Sequence, residues 1–290
     1  MSSGKLADEG QRRCAGQVVI LSARRERRLL MRIALITGAS SGLGKTFAEQ
    51  IDRTEQDIDE IWLVARRRDR LEEIAYGLSH PAKIVSLDLL REESMGTLEE
   101  LLKQDVQVGL FVNCAGYAKI GNYEKVSRSD SERMIDLNCR AAVSTTLVVL
   151  PYMRAGDRIL EICSTSSFQP IPHLNIYAAS KAFLYSYTRA LRMELLPRGI
   201  IVTAVCPWWV KDTEFIQVAK DNQANPDVAE SIRGFPLATK EENVVRRALR
   251  DSRWKLAVST PGVMCFFHRI FAKVIPRKWL LYFWEIFRRL

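Results

Sequence analysis

A single α/β domain built on a doubly wound parallel sheet is what this sequence predicts. Two observations carry that expectation. Short apolar runs rich in strand-forming residues alternate with stretches of helical periodicity, and the first run passes through a glycine cluster straight into a helix. The first strand is expected over Arg32–Thr37 (RIALIT), and Phe47, Ala48 and Ile51 of the following KTFAEQI lie at helical spacing. Further strands are expected at Glu60–Ala65, Lys83–Leu87, Val108–Asn113, Arg158–Cys163, Ile200–Val205 and Lys255–Ser259, with helices between them. Connections that contain helices make the strands parallel, and near-continuous apolar runs fit a sheet covered on both faces. Right-handed crossovers then wind it twice. No repeat, low-complexity tract or Pro/Gly-rich linker divides the chain.

With 290 residues, 47% of them hydrophobic, the chain is long enough for such a domain with additions at its ends. Six scattered cysteines contain no C-x-x-C pair, and His80, His173 and His268 show no ligand spacing, so neither a disulfide framework nor a metal is expected. The formal charge of +9 is terminal in origin. Residues 1–32 carry eight Lys or Arg against three acids, and residues 254–290 seven against one. The part between is slightly acidic, which argues against a nucleic-acid partner.

The glycine cluster reads Thr37, Gly38, Ala39, Ser40, Ser41, Gly42, Leu43, Gly44 between a strand end and a helix start. There Gly38 turns the chain, Gly42 lets the backbone approach a pyrophosphate, and Gly44 permits close helix packing. The helix N-terminus offers free N–H groups and a partial positive charge to phosphates. At the end of the second strand, where an acid commonly holds the ribose 2′-OH of NAD, the chain reads Arg66, Arg67, Arg68. Guanidinium groups there suit a 2′-phosphate, so NADP(H) is the expected cofactor, with Arg66 as lead contact and Arg67 second.

Tyr177 and Lys181 stand four residues apart in YAASK, on one helical face, so the ammonium can lie near the phenol. A nearby cation favours phenolate and is expected to bring the Tyr177 pKa down toward the working pH. Such a phenol can give a proton to a carbonyl oxygen or take one from an alcohol.

The T-G-x-x-x-G-x-G spacing together with YAASK resembles the short-chain dehydrogenase/reductase family, classical type, over nearly all of 32–260. The resemblance implies a Rossmann fold and hydride transfer to or from NADP(H). It implies a catalytic set of Ser164, thirteen residues before Tyr177, with Tyr177, Lys181 and Asn138. In that set Ser164 fixes the substrate oxygen, Lys181 also holds the nicotinamide ribose, and Asn138 positions a water linking Lys181 to solvent. It further implies cofactor contacts from Gly38, Ser40, Ser41, Gly42, Leu43 and Gly44, an adenine-side contact at Asp88 and Leu89, and a strand-end segment at Asn113, Ala115 and Gly116. Cys114 departs from the family's second Asn. Pro207, Val210 and Thr213 fall on the segment covering the nicotinamide, with Trp208 in place of Gly and Asp212 where a threonine is expected. The activity implied is that of a carbonyl reductase or alcohol dehydrogenase, on a lipophilic substrate of steroid or fatty-acyl type. A cofactor-binding regulator with little catalysis is the alternative. A homodimer or homotetramer is implied as well.

Residues 211–240 correspond to the family's variable substrate loop. Phe168, Ile171, Pro172, Trp208, Trp209, Phe215 and Phe235 either line a greasy pocket or pack that loop. Residues 1–30 are expected to be a basic, disordered extension, with Met31 as the authentic start, ahead of a catalytic domain over 31–262. Neither a signal peptide nor a membrane span is expected, which suits a cytoplasmic protein. The tail, 263–290, interleaves aromatics with basic residues. Its expected roles are a peripheral membrane contact, a cap on the substrate pocket, or a subunit interface.

Overall fold

The computed structural model describes residues 30–211, 213–220 and 238–288. The chain divides into two compact units, Met1–Met31 and Arg32–Leu290, and the site lies in the second. The expectations for residues 1–29, for Asp212 and for Phe235 fall outside the described residues.

Strands and helices alternate as β1 (Met31–Thr37), α1 (Gly42–Thr54), β2 (Glu60–Ala65), α2 (Arg68–Tyr76), β3 (Ala82–Ser86), α3 (Glu93–Leu102) and β4 (Val106–Asn113). There follow α4 (Arg128–Ile135), a π-helical turn (Asp136–Ala141), α5 (Ala142–Val149), β5 (Arg158–Ile162) and α6 (Asn175–Leu195). The chain continues with β6 (Ile201–Val205), α7 (Glu214–Lys220), α8 (Glu241–Arg253), β7 (Val258–Ser259), α9 (Val263–Val274) and α10 (Arg277–Phe287).

The seven strands order as β3-β2-β1-β4-β5-β6-β7, the doubly wound arrangement expected. Period-two alternation sends successive side chains to opposite faces. Ile33, Leu35, Trp62, Val64 and Phe111 pack with α3, α5 and α6 on one side, while Ala34, Ile36, Leu63, Leu110 and Val112 pack with α1, α2 and α8 on the other. That double burial explains why the strands read as unbroken apolar runs.

The parallel registers Thr37↔Val64, Ala65↔Ser86, Asn113↔Glu161, Ile162↔Val205 and Val205↔Ser259 bring the carboxyl ends of the strands to one edge. The order reverses between β1 and β4, which opens a crevice there. The seventh strand is much shorter than the expected Lys255–Ser259. Lys255 adopts φ 57°, and Lys255 N–H and Leu256 N–H cap the end of α8 by donating to the Ser252 and Asp251 carbonyls. Helix termination takes those residues out of the sheet.

Candidate functional site

The glycine turn is tight for stated reasons. Gly38 has φ 66°, and a Cβ there would sit 2.9 Å from Ala115 Cα; at Gly44 it would meet the Gly38 carbonyl oxygen at 2.2 Å. Gly38 therefore lets β1 and β4 ends approach, and Gly44 folds the start of α1 back onto the turn itself. Thr37, which opens the glycine run, ties these ends together. Its Oγ1 donates to Asn113 Oδ1 (3.1 Å) and accepts from the N–H groups of Cys114 (3.0 Å) and Ala115 (3.1 Å).

Above the turn a cavity of about 540 Å³ opens. Gly38, Ser40, Ser41, Gly42 and Leu43 form its floor, and Arg66, Arg67, Asp88 and Leu89 line one end. Ala115, Gly116, Ser164, Tyr177 and Lys181 line the other, under Pro207, Val210 and Thr213. Of the residues expected at the site, Gly44, Asn113 and Asn138 do not face the cavity. Asn113 is buried and donates to the Ala142 carbonyl (2.9 Å) and Thr146 Oγ1 (3.2 Å), clamping β4 to α5.

At the cofactor end the Arg66 carbonyl accepts from Ser86 Oγ at 3.2 Å, while its guanidinium makes no hydrogen bond or ion pair among the described residues. Arg67 reaches into the turn: Nε and Nη2 donate to Ser40 Oγ at 3.3 and 3.2 Å, and Nη1 pairs with Glu214, the first residue of α7, at 2.9 Å. Asp88 Oδ1 accepts the Leu90 N–H at 3.1 Å, which orients its carboxylate at the cavity edge.

At the other end Tyr177 and Lys181 leave one face of α6 as their spacing requires, with Nζ 5.9 Å from the phenol ring centroid. Lys181 is almost fully buried and donates to the Ile162 carbonyl at 2.7 Å. Ser164, following β5, accepts the Ser166 N–H at 3.1 Å and makes polar contact with the Tyr177 phenol. The electrostatics differ from the expectation. Burial dominates and raises the Tyr177 pKa above its ordinary value, the Ser164 contact opposing it, so the phenol is held protonated. Burial likewise lowers Lys181. The ammonium's charge does not override the loss of water around the phenol.

Asn138 sits on the π-helical turn, fully buried. Its amide pairs with the Tyr117 backbone in both directions (3.1 and 3.0 Å) and donates to Ser180 Oγ at 3.0 Å. A Cβ at Gly116 would lie 2.9 Å from Asn138 Oδ1 and 3.3 Å from Lys181 Nζ, so only glycine lets this segment pass between them.

The tryptophan in place of glycine has a place of its own. Trp208 borders the main cavity and also a second, apolar one of about 390 Å³ walled by Met264, Phe267 and Phe271, with its ring 5.3 Å from that of His268. Ile171, Trp209 and Phe215 line the main cavity, and the Phe215 ring packs at a tilt against Tyr177, centroids 5.6 Å apart. Phe168 instead packs on Tyr185 and His268, and Pro172 accepts the Trp284 indole N–H at 3.1 Å. Trp284, from α10, is buried and walls the main cavity. Among the described residues no cluster of three or more His, Cys, Asp or Glu could hold a metal.

A family model for short chain dehydrogenase matches residues 32–224, which include every glycine of the turn and the Ser164, Tyr177, Lys181 constellation. The chain belongs to the short chain dehydrogenase family. It is 28% identical over 210 residues to mouse (Mus musculus) 17-beta-hydroxysteroid dehydrogenase type 3, covering 69% of this chain and 68% of that one. It is 26% identical over 232 residues to the very-long-chain 3-oxoacyl-CoA reductase of Rattus norvegicus, covering 76% and 73%. Among solved structures it resembles a short-chain dehydrogenase from Sphingobium yanoikuyae in complex with NADPH. That match has TM-score 0.69 and 29% identity, and covers 80% of this chain and 88% of that one. This dehydrogenase is thus an oxidoreductase.

Behind Lys181 the dehydrogenase buries a carboxyl that its sequence did not announce. Glu161 on β5 is fully buried; Oε1 accepts from Thr146 Oγ1 at 2.7 Å, and Oε2 has no hydrogen-bond partner among the described residues. Loss of hydration pushes its pKa up to about 7, with Thr146, Asn113 and the Lys181 charge opposing. The folded pKa thus lies above the unfolded value of about 4.3. Below that value both states are protonated and the group is neutral to stability. As pH rises the unfolded state ionises first, so stability falls until the folded carboxyl titrates. Glu161→Gln, which does not titrate, is expected to gain on the wild type between about pH 5 and pH 7, by a few kcal/mol on the linkage relation. Urea midpoints across that range, with a difference independent of pH, would contradict it.

Proposed function

We propose that this protein interconverts a carbonyl and a secondary alcohol on a lipophilic substrate of steroid or fatty-acyl type, using NADP(H). The observation that carries the reading is the contact of Ser164 with the Tyr177 phenol at the cavity wall, with the Lys181 ammonium behind them. The residues present fit a dinucleotide. A side-chain-free cradle at Gly38 and Gly42 faces the cavity, the N-terminus of α1 points at it, and arginines border its far end. The nicotinamide, when bound, supplies or receives the hydride. Ser164 Oγ and the Tyr177 phenol together hold the substrate oxygen, and Tyr177, protonated in its buried setting, donates its proton to that oxygen in the reducing direction. In this reading Lys181 holds the nicotinamide ribose and returns charge balance to the phenol after proton transfer. Asn138 acts one layer further back, fixing the Tyr117 and Ser180 groups beside Lys181.

The lipophilic class is supported by Ile171, Leu174, Trp209 and Phe215 around the reacting end, and by the similarity to a hydroxysteroid dehydrogenase and a very-long-chain 3-oxoacyl-CoA reductase. A screen following NADPH absorbance with ketosteroids, 3-oxoacyl thioesters and small ketones tests it. Turnover is expected with the first two. NADPH binding without turnover of any of them would return the protein to the regulator reading.

NADP(H) rather than NAD(H) rests on Arg66 and on Arg67 anchored at Ser40. Arg66→Ala and Arg67→Ala are each expected to raise the NADPH dissociation constant roughly ten- to a hundredfold, as lost charge-assisted hydrogen bonds do, and to leave NADH binding unchanged. Fluorescence titration with both cofactors checks this, and equal weakening of the two would refute it.

A further inference from the structure

Helices α9 and α10 carry their apolar residues on the wrong side for a self-contained domain. On α9 Val263, Phe267, Ile270 and Val274 recur at helical spacing and are 71%, 45%, 40% and 75% exposed, whereas Cys265, His268 and Ala272 turn toward the protein. On α10 Trp279, Tyr282, Phe283 and Ile286 form a second stripe at the same spacing, each more than half exposed. The opposite side of α10 is anchored by Leu280 and Trp284, both 5% exposed. Two adjacent helices thus present outward apolar stripes while small or anchoring residues face in.

The charge beside these stripes identifies what covers them. Arg269, Lys273, Arg277 and Lys278 lie on or between the two helices and form no ion pair among the described residues. The only acid in 263–290 is Glu285, which pairs with Arg288. A second copy would bring the same cations to the contact. The chain's own residues 1–29, with seven Lys or Arg against three acids, would do likewise. The complement is apolar and anionic at once.

We propose that the outward faces of α9 and α10 dock on an anionic lipid bilayer, lying in its surface with the aromatic stripes among the acyl chains and the lysines and arginines at the headgroups. No helix among the described residues is long and apolar enough to cross a membrane, so the contact is peripheral. Because Trp284 on the inner side of α10 walls the catalytic cavity, docking sets that wall against the lipid phase from which a lipophilic substrate would come. The docking itself does not depend on the proposed reaction, and its test reads binding separately from turnover.

Flotation of the full chain with vesicles of phosphatidylcholine alone, and of phosphatidylcholine and phosphatidylglycerol in equal parts, decides the matter. The protein is expected to float with the anionic vesicles, less so as salt rises, and far less with the neutral ones. Ile270→Glu and Phe283→Glu, on outward positions, should abolish flotation. Lys273→Gln with Lys278→Gln should weaken it roughly tenfold or more, since each cation near an anionic surface contributes independently. All these variants should keep the thermal midpoint and the turnover of a water-soluble substrate. The proposal is overturned if the wild type stays unbound with both vesicles, or if the lysine variants bind as the wild type does. It is equally overturned if sedimentation shows a dimer that Ile270→Glu disperses, since a second copy would then own the face.

Discussion

Tyr177→Phe is expected to lower kcat/KM by about a hundred- to ten-thousandfold, the range in which a positioned proton donor contributes. The phenol at the cavity wall both touches Ser164 and lies near the buried Lys181. Removing only its oxygen leaves the ring packed on Phe215 at 5.6 Å and within its cluster with Ile171, Leu174 and Trp284. The fold and NADPH affinity should therefore hold, and loss of turnover with an unchanged thermal midpoint and cofactor dissociation constant is the expected signature. Retained turnover of a substrate found in the screen would remove Tyr177 from the mechanism. The pH profile adds a second readout. With burial holding the phenol protonated, reduction should persist across neutral pH rather than fall with a group titrating there. Glu161 affects stability in that range, and comparison with Glu161→Gln separates the two effects.

Glu55→Ala should be strongly destabilising although Glu55 lies outside the cavity. Arg158 at the start of β5 is paired with Glu55, at the end of α1, at 2.6 Å, and the two side chains are only 8% and 5% exposed. Arg253 of α8 joins the same carboxylate at 3.0 Å, and Arg158 also donates to Ser252 Oγ at 3.2 Å. The cluster ties two helices on one face of the sheet to a central strand. Deleting the carboxylate strands a buried guanidinium whose remaining partner is a hydroxyl, at a cost of about 3–5 kcal/mol. For a chain of this size that corresponds to a fall in Tm of roughly 10 °C. Because the pair is out of reach of counterions, the loss should be nearly independent of salt. Replacing both partners by methionine should recover much of it, since an apolar pair of similar volume avoids the desolvation cost. Thermal unfolding of the single and double variants would show this, and a drop below about 1 kcal/mol for Glu55→Ala would mean the pair behaves as an exposed one.

The sheet was legible because both of its faces are covered. Each central strand had to be apolar without interruption, so Glu60–Ala65 and the bodies of β1, β4 and β5 stand where their composition put them. Their ends shifted where a cap competes with the ladder, as at Lys255, whose left-handed backbone closes α8. The glycine turn was legible for a similar reason. A Cβ at Gly38 or Gly44 would collide with backbone, and that constraint is written into residue type. Tyr177 and Lys181 share a face of α6 by helical spacing alone.

What spacing could not reveal is who meets whom across the chain. Thr37 bracing Asn113, Arg67 held between Ser40 and Glu214, and Trp284 closing the cavity from α10 join residues 27 to 147 positions apart or reach in from the last helix. Thr37 is marked by its place at the head of the glycine run, and Trp284 lies in the tail for which a cap on the pocket was one of the expected roles; Glu161 carried no such mark. The direction of the Tyr177 shift belongs to the same class, because it balances one neighbour's charge against the burial that many distant residues impose. Local periodicity, glycine sterics and charge order are properties of a few consecutive residues and so are set by the chain alone. Desolvation and long-range contact depend on the whole packed arrangement, and they arise only when the sheet has brought its strand ends to one edge.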